Sequence, residues 1–158
     1  MDEVPSATPA KKSDTRPVLP VVLFAIYALL LVGVVLFKFP FQYQLTTSGR
    51  HLNLIPFGGS FANPRLGIGE VVENALIFVP YGVYLSMVSG PWNLGKRILV
   101  IAATSVAFET IQFVFAIGRS DITDVLGNTF GGLVGVGVYA LSVRILGQRT
   151  NRVVTIAA

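Results

Sequence analysis

Cysteine is absent from this chain of 158 residues, and histidine occurs once, at His51. The first absence excludes disulfides, thiolate nucleophiles, iron–sulfur clusters and Cys-type zinc sites. The second excludes a zinc site built from several imidazoles. Charge is scarce too. Asp, Glu, Lys and Arg make up 13% of the residues, about half the ~25% of soluble domains. Hydrophobic residues make up 53% and the mean hydropathy is +0.68, so there is too little charge to cover a water-facing surface. The composition also lacks the polarity of a disordered chain and the glycine period of collagen. The length suits one domain.

What is present is a set of long uncharged runs. Residues 17–37, 74–95 and 125–143 carry no charge over 21, 22 and 19 residues, and residues 98–118 carry only Glu109. A helix rising 1.5 Å per residue crosses a ~30 Å hydrocarbon core in about 20 residues. Four spans are therefore expected, near 18–37, 71–89, 98–117 and 124–144. They must be helical, because an open strand leaves its backbone unpaired in lipid. The fold class is an all-α integral membrane protein, a four-transmembrane-helix bundle. Its first span is longer than the apolar core of a secretory signal, and no A-x-A site follows it, so it is read as retained.

Four spans place residues 1–17, the 90–97 loop and the C-terminal tail on one side, with eight of the twelve Lys and Arg residues. The positive-inside rule makes that side the cytoplasm, so the expectation is a multi-pass plasma-membrane protein with both termini cytoplasmic. The organisation expected is a disordered tail over 1–17, a transmembrane domain over 18–147 and a short tail over 148–158. The basic pI of 9.7 then serves orientation and contact with anionic lipid, and no nucleic-acid partner is expected. Phe37, Phe39, Phe41 and Tyr43 alternate just past the first span and suit an aromatic belt. Residues 51–64 are too polar and too rich in Gly and Pro to cross lipid, and read as an ordered outer loop or re-entrant turn between helices 1 and 2.

The informative residues are those that oppose lipid. Glu109 falls near the middle of span three, where a carboxylate costs about 2.5–3.5 kcal/mol; such a group faces the bundle interior and is a functional hypothesis by default. Ser105, Glu109 and Gln112 share one helix stripe, as do Glu70, Asn74, Phe78 and Tyr81 in span two. In span four Asp124, Asn128 and the nearby glycines form another stripe. Gly127, Gly131 and Gly135 make two overlapping GxxxG units that admit a close neighbour, within the bundle or in a second copy of the chain. Folding spans three and four about a turn at 118–123 sets Gln112 near Asn128 and Glu109 near Gly132, leaving a small polar cavity in the outer half of the membrane. Arg119, Asp121 and Asp124 close its rim, either as ligands or as a solvated turn with Asp124 as N-cap. Gln112 and Asn128 serve equally as interhelical glue. Pro80 removes one backbone hydrogen bond in span two and predicts a kink.

The order of these residues resembles the VanZ-like family of small bacterial membrane proteins. Three blocks carry the resemblance: Asn53-Leu-Ile-Pro56-Phe57, then Asn74-x3-Phe78-x-Pro80-x-Gly82, then Glu109-x2-Gln112 followed by Arg119, Asp121, Asp124, Asn128 and Gly131. Tyr81, commonly Leu in the family, departs from the pattern, as does the Arg119–Asp121 spacing, often one residue longer. The resemblance implies a role at the cell envelope in susceptibility to teicoplanin-type glycopeptides.

Three functions fit these residues. The first is a non-catalytic protein that binds an amphiphile at the outer leaflet: a lipid, a lipid-linked wall precursor or a lipidated glycopeptide. Asn53, Asn74, Glu109, Gln112, Arg119, Asp121, Asp124 and Asn128 are its expected ligand-binding residues, and no cofactor or resident metal is expected. The second is a membrane-embedded enzyme on lipid-linked sugar or phosphate. Glu109 would be its acid or base, with Asp121 and Asp124 holding Mg²⁺. The third is a proton-coupled carrier, for which four spans would need a dimer.

Overall fold

The computed structural model describes residues 18–37, 51–58, 64–116 and 119–156. Helix α1 covers Val18–Phe37, α2 Pro64–Ser89, α3 Leu94–Phe115 and α4 Ile122–Ile156. All four are long and apolar enough to cross a membrane. The tail over 1–17 and the aromatic positions 39, 41 and 43 lie outside the described residues. Helix α4 continues to Ile156, past the expected end near 144–147. Gly147, Thr150 and Asn151 are the weak helix formers between Leu146 and Arg152, and at up to about 1 kcal/mol each they do not end a helix already packed upstream.

Exposure is inverted relative to a soluble bundle. Leu19, Leu29, Leu76, Leu99, Phe130 and Leu146 are all more than 60% exposed, whereas Ser86, Ser105, Ser120 and Asn128 are buried. Lipid offers apolar side chains a solvent as good as the core, so helix association rests on close packing and polar contacts. Small residues provide the packing. A Cβ on Gly131 or Gly135 of α4 would overlap the backbone carbonyl of Ala75 or Val79 on α2, and one on Gly82 would overlap Gly132. Helices α2 and α4 thus touch backbone to backbone. The Gly127/Gly131/Gly135 face packs against α2 within the chain.

A small core lies beside this seam, where Phe78, Tyr81 and Leu85 of α2 meet Ile101 and Phe108 of α3 and Leu31 of α1. Phe78 stacks edge-on against Phe108, with ring centroids 6.3 Å apart. Helix α1 joins through the ring pairs Phe24–Tyr81 and Tyr27–Tyr84, and the Tyr27 hydroxyl donates to the Ile77 carbonyl. That carbonyl is one residue past Leu76, the acceptor that Pro80 leaves without its usual backbone partner, and α2 runs through Pro80 as helix.

Two three-residue strands join the helices at one end. Strand β1, His51–Asn53, pairs in parallel with β2, Arg119–Asp121, in the register His51–Arg119, Leu52–Ser120 and Asn53–Asp121. The α1–α2 loop is therefore ordered over 51–58, tied to the start of α4. The α3–α4 connection differs from the expected tight turn. Ala116 closes α3 in the left-handed conformation at φ 52°, and the chain then doubles back along the last turns of α3. The register shifts by about two turns: Asn128 meets Ser105 rather than Gln112, and Gly132 meets Ile101 rather than Glu109. A left-handed alanine is strained by about 1–2 kcal/mol. Ala116→Gly is expected to raise the melting temperature in detergent by a few degrees; a lowered one would show that the methyl group is needed there.

Candidate functional site

The polar residues collect at one end of the bundle, around the start of α4. Asp121 is the last residue before that helix, and its Oδ1 accepts the Thr123 backbone N–H at 2.8 Å. This is an N-cap, so Asp121 rather than Asp124 caps the helix. The other carboxylate oxygen, Oδ2, accepts from Asn53 Nδ2 at 2.8 Å, which fixes the α1–α2 loop to the cap. Asn53 Oδ1 in turn accepts the Ile55 N–H at 3.1 Å. The Phe57 N–H donates to Thr123 Oγ1 at 2.9 Å.

Glu109 completes this cap from another helix. In a capping box, the residue three places into the helix reaches back to the N–H of the cap residue. Here that residue is Asp124, which instead accepts from Asn74 Nδ2 at 2.6 Å and so ties α4 to α2. The Asp121 N–H goes to Glu109 Oε2 of α3, at 2.8 Å. A carboxylate at the positive end of α4 is favourably placed against the helix dipole. Ser120 Oγ donates to the Glu109 carbonyl at 2.8 Å, so side chain and backbone of Glu109 both hold β2. Glu109 is 9% exposed, and its carboxylate lies against the β2 backbone rather than the glycine face expected from a tight turn.

Deeper in the bundle, Asn128 Nδ2 donates to Ser105 Oγ at 2.9 Å, with both residues buried. Gln112 turns the other way. Its Nε2 donates to the Val35 carbonyl of α1 at 2.8 Å. Its Oε1 is buried with no hydrogen-bond partner among the described residues. The amide cannot be reversed to satisfy it, because the Val35 carbonyl requires a donor.

Seven of the eight expected site residues are thereby placed in one polar layer or directly beneath it: Asn53, Asn74, Glu109, Gln112, Asp121, Asp124 and Asn128. Arg119 contributes its backbone to β2, and its side chain lies outside the described residues. Glu70, on the same sequence stripe as Asn74, is exposed. Ser120, Thr123 and the Val35 carbonyl were missed by sequence reasoning. A signal for Thr123 exists in Asp121-Ile-Thr123, which reads as cap and second helical residue once the start of α4 is moved three places upstream. Among the described residues no group of three or more His, Cys, Asp or Glu side chains has metal-binding geometry.

A model of the VanZ/LLP1 family matches residues 24–144, a stretch that contains every residue of the polar layer. Over 131 residues the chain is 37% identical to Protein VanZ of Enterococcus faecium, covering 80% of this chain and 77% of that relative. No solved structure matches. With four membrane-spanning helices and this match over most of its length, the chain is a multi-pass membrane protein belonging to the VanZ/LLP1 family.

Proposed function

We propose that this protein is a non-catalytic component of the cell envelope that binds an amphiphile at the outer leaflet and thereby alters susceptibility to teicoplanin-type glycopeptides. The polar layer faces outward in this reading. The opposite end carries the 90–93 loop, Lys96, Arg97 and Arg144, and the excess of Lys and Arg on that side supports cytoplasmic termini.

The observation that carries the proposal is Gln112 Oε1, a buried acceptor between α1 and α3 that has no partner among the described residues. A buried acceptor left unmet costs about 1–3 kcal/mol. A hydroxyl or amide N–H on the head of an amphiphile would meet it, and the apolar helix faces would take the chain. The ligand classes that fit are a lipid, a lipid-linked wall precursor or a lipidated glycopeptide. Arg119, at the rim, would meet an anionic group on the same head. The carboxylates favour binding over catalysis. Both oxygens of Asp121 already accept structural hydrogen bonds, and Glu109 holds the Asp121 N–H.

The test is complementation of a deletion strain that lacks redundant copies, read as the minimum inhibitory concentration of teicoplanin. Wild type is expected to restore the parental value, Gln112→Leu to fail at equal membrane abundance, and Glu109→Gln to complement. An unchanged susceptibility profile on deletion removes the proposal. Failure of a well-folded Glu109→Gln protein would favour the proton chemistry of an enzyme or carrier instead.

A further inference from the structure

At the opposite end of the bundle from the polar layer lies a cavity of about 390 Å³, within the ~300–1,000 Å³ range of small-molecule sites. Val21 and Phe24 of α1, Leu85 and Val88 of α2 and Val100 of α3 line it, and Trp92 of the α2–α3 loop stands beside them. Val21 is 45% and Trp92 41% exposed, so the cavity has a mouth. Its walls are aliphatic and aromatic, and it lies between membrane-spanning helices, where the surrounding solvent is acyl chain.

Two hydroxyl side chains interrupt the lining, and that of Tyr81 is already paired with Thr104 Oγ1 at 2.9 Å. Ser89, at the end of α2, is buried, and its Oγ accepts from Arg97 Nε at 3.0 Å. Arg97 Nη2 donates to the Gly90 carbonyl, also at 3.0 Å. These two bonds fix the guanidinium beside the cavity while leaving its remaining N–H groups for another acceptor. A pinned guanidinium loses little further freedom on binding an anion. Lys96 precedes it in the first turn of α3, where the helix dipole disfavours cations and favours an anion. The N-cap of that turn is Asn93, whose Oδ1 takes only the Lys96 N–H, at 2.9 Å.

From this placement we infer that the protein holds an anionic phospholipid at this second site, one acyl chain in the cavity and the phosphate on Arg97 and Lys96. The occupant comes from the leaflet on the Lys96/Arg97 side. The site is separate from the polar layer and independent of the outward ligand.

Trp92 is the single tryptophan of the chain and reports the site without mutation. The full-length protein is reconstituted in phosphatidylcholine bilayers, and Trp92 quenching is titrated with phospholipids brominated on their chains. Brominated phosphatidylglycerol is expected to bind about fivefold more tightly than brominated phosphatidylcholine, the worth of roughly one surface cation. Lys96→Gln/Arg97→Gln should bring that ratio to about one, and Val100→Phe, which fills the cavity, should weaken quenching by both lipids. Soluble glycerol phosphate should leave the quenching unchanged, and its displacing the lipid would mean a free-anion site without a chain. Equal quenching by the two lipids in the wild type overturns the inference outright. So does a preference that survives in the Lys96/Arg97 variant.

Discussion

Gly131→Val is expected to abolish the folded protein, giving aggregated material on size exclusion in mild detergent and no cooperative thermal transition. At Gly131 even a methyl group would overlap the Ala75 carbonyl of α2. The obstacle is backbone on a helix held at several further points, so relief requires the two axes to separate. Separation would break the Asn74–Asp124 bond above and the Val79–Gly135 approach below. Overpacking a core costs typically about 1–3 kcal/mol where side chains can yield; here no side chain is available to yield. Gly135→Val should behave alike. Gly137→Ala is the control, because nothing lies within 4 Å of its added methyl group, and it should be neutral or stabilising by up to about 1 kcal/mol. A folded, monodisperse Gly131→Val protein would show that α2 and α4 are not in backbone contact.

The second large effect is expected at Asp121. Asp121→Ala removes the N-cap of α4 and the anchor of Asn53 in one step. The cap alone is worth about 0.5–2 kcal/mol, and a net hydrogen bond about 0.5–1.5 kcal/mol. Together they predict a fall of roughly 5–10 °C in melting temperature. The local effect is more diagnostic than the global one. Backbone amides at 51–58 should lose protection from hydrogen exchange by a larger factor than those of α2 or α4. Asp124→Ala, which breaks the bond from Asn74 on α2, should leave 51–58 protected. Equal protection of that segment in Asp121→Ala and wild type would mean that the strand pairing, rather than the carboxylate, holds the loop.

The crossings were legible in the sequence because hydrocarbon thickness imposes a length that uncharged runs either meet or fail. The polar layer was legible in membership, since Glu109, Gln112, Asn128 and Asn74 each oppose lipid and must find partners. Who partners whom was not. Asn128 belongs to Ser105 and Gln112 to the Val35 carbonyl, because the chain doubles back after Ala116 and slides α4 along α3. Nothing in the composition of residues 116–121 announces a left-handed alanine, a residue type that rarely adopts that conformation. The glycine spacing announced close approach, yet GxxxG is the same pattern whether the neighbour belongs to the same chain or another. The parallel strands were invisible for a different reason. Three residues apiece is below the length at which alternation can be read, and their partners lie 68 residues apart in the sequence.

That parallel pairing sets an order of assembly. Leu52 meets Ser120 across an interval that includes all of α2 and α3, so the segment after the first crossing has nothing to bind until both later helices are delivered and β2 has emerged on its side. Until then residues 51–58 wait as an unclasped strap, open to proteases on that side. A nascent chain arrested before residue 119 would be cut there, and one released after α4 has inserted would resist.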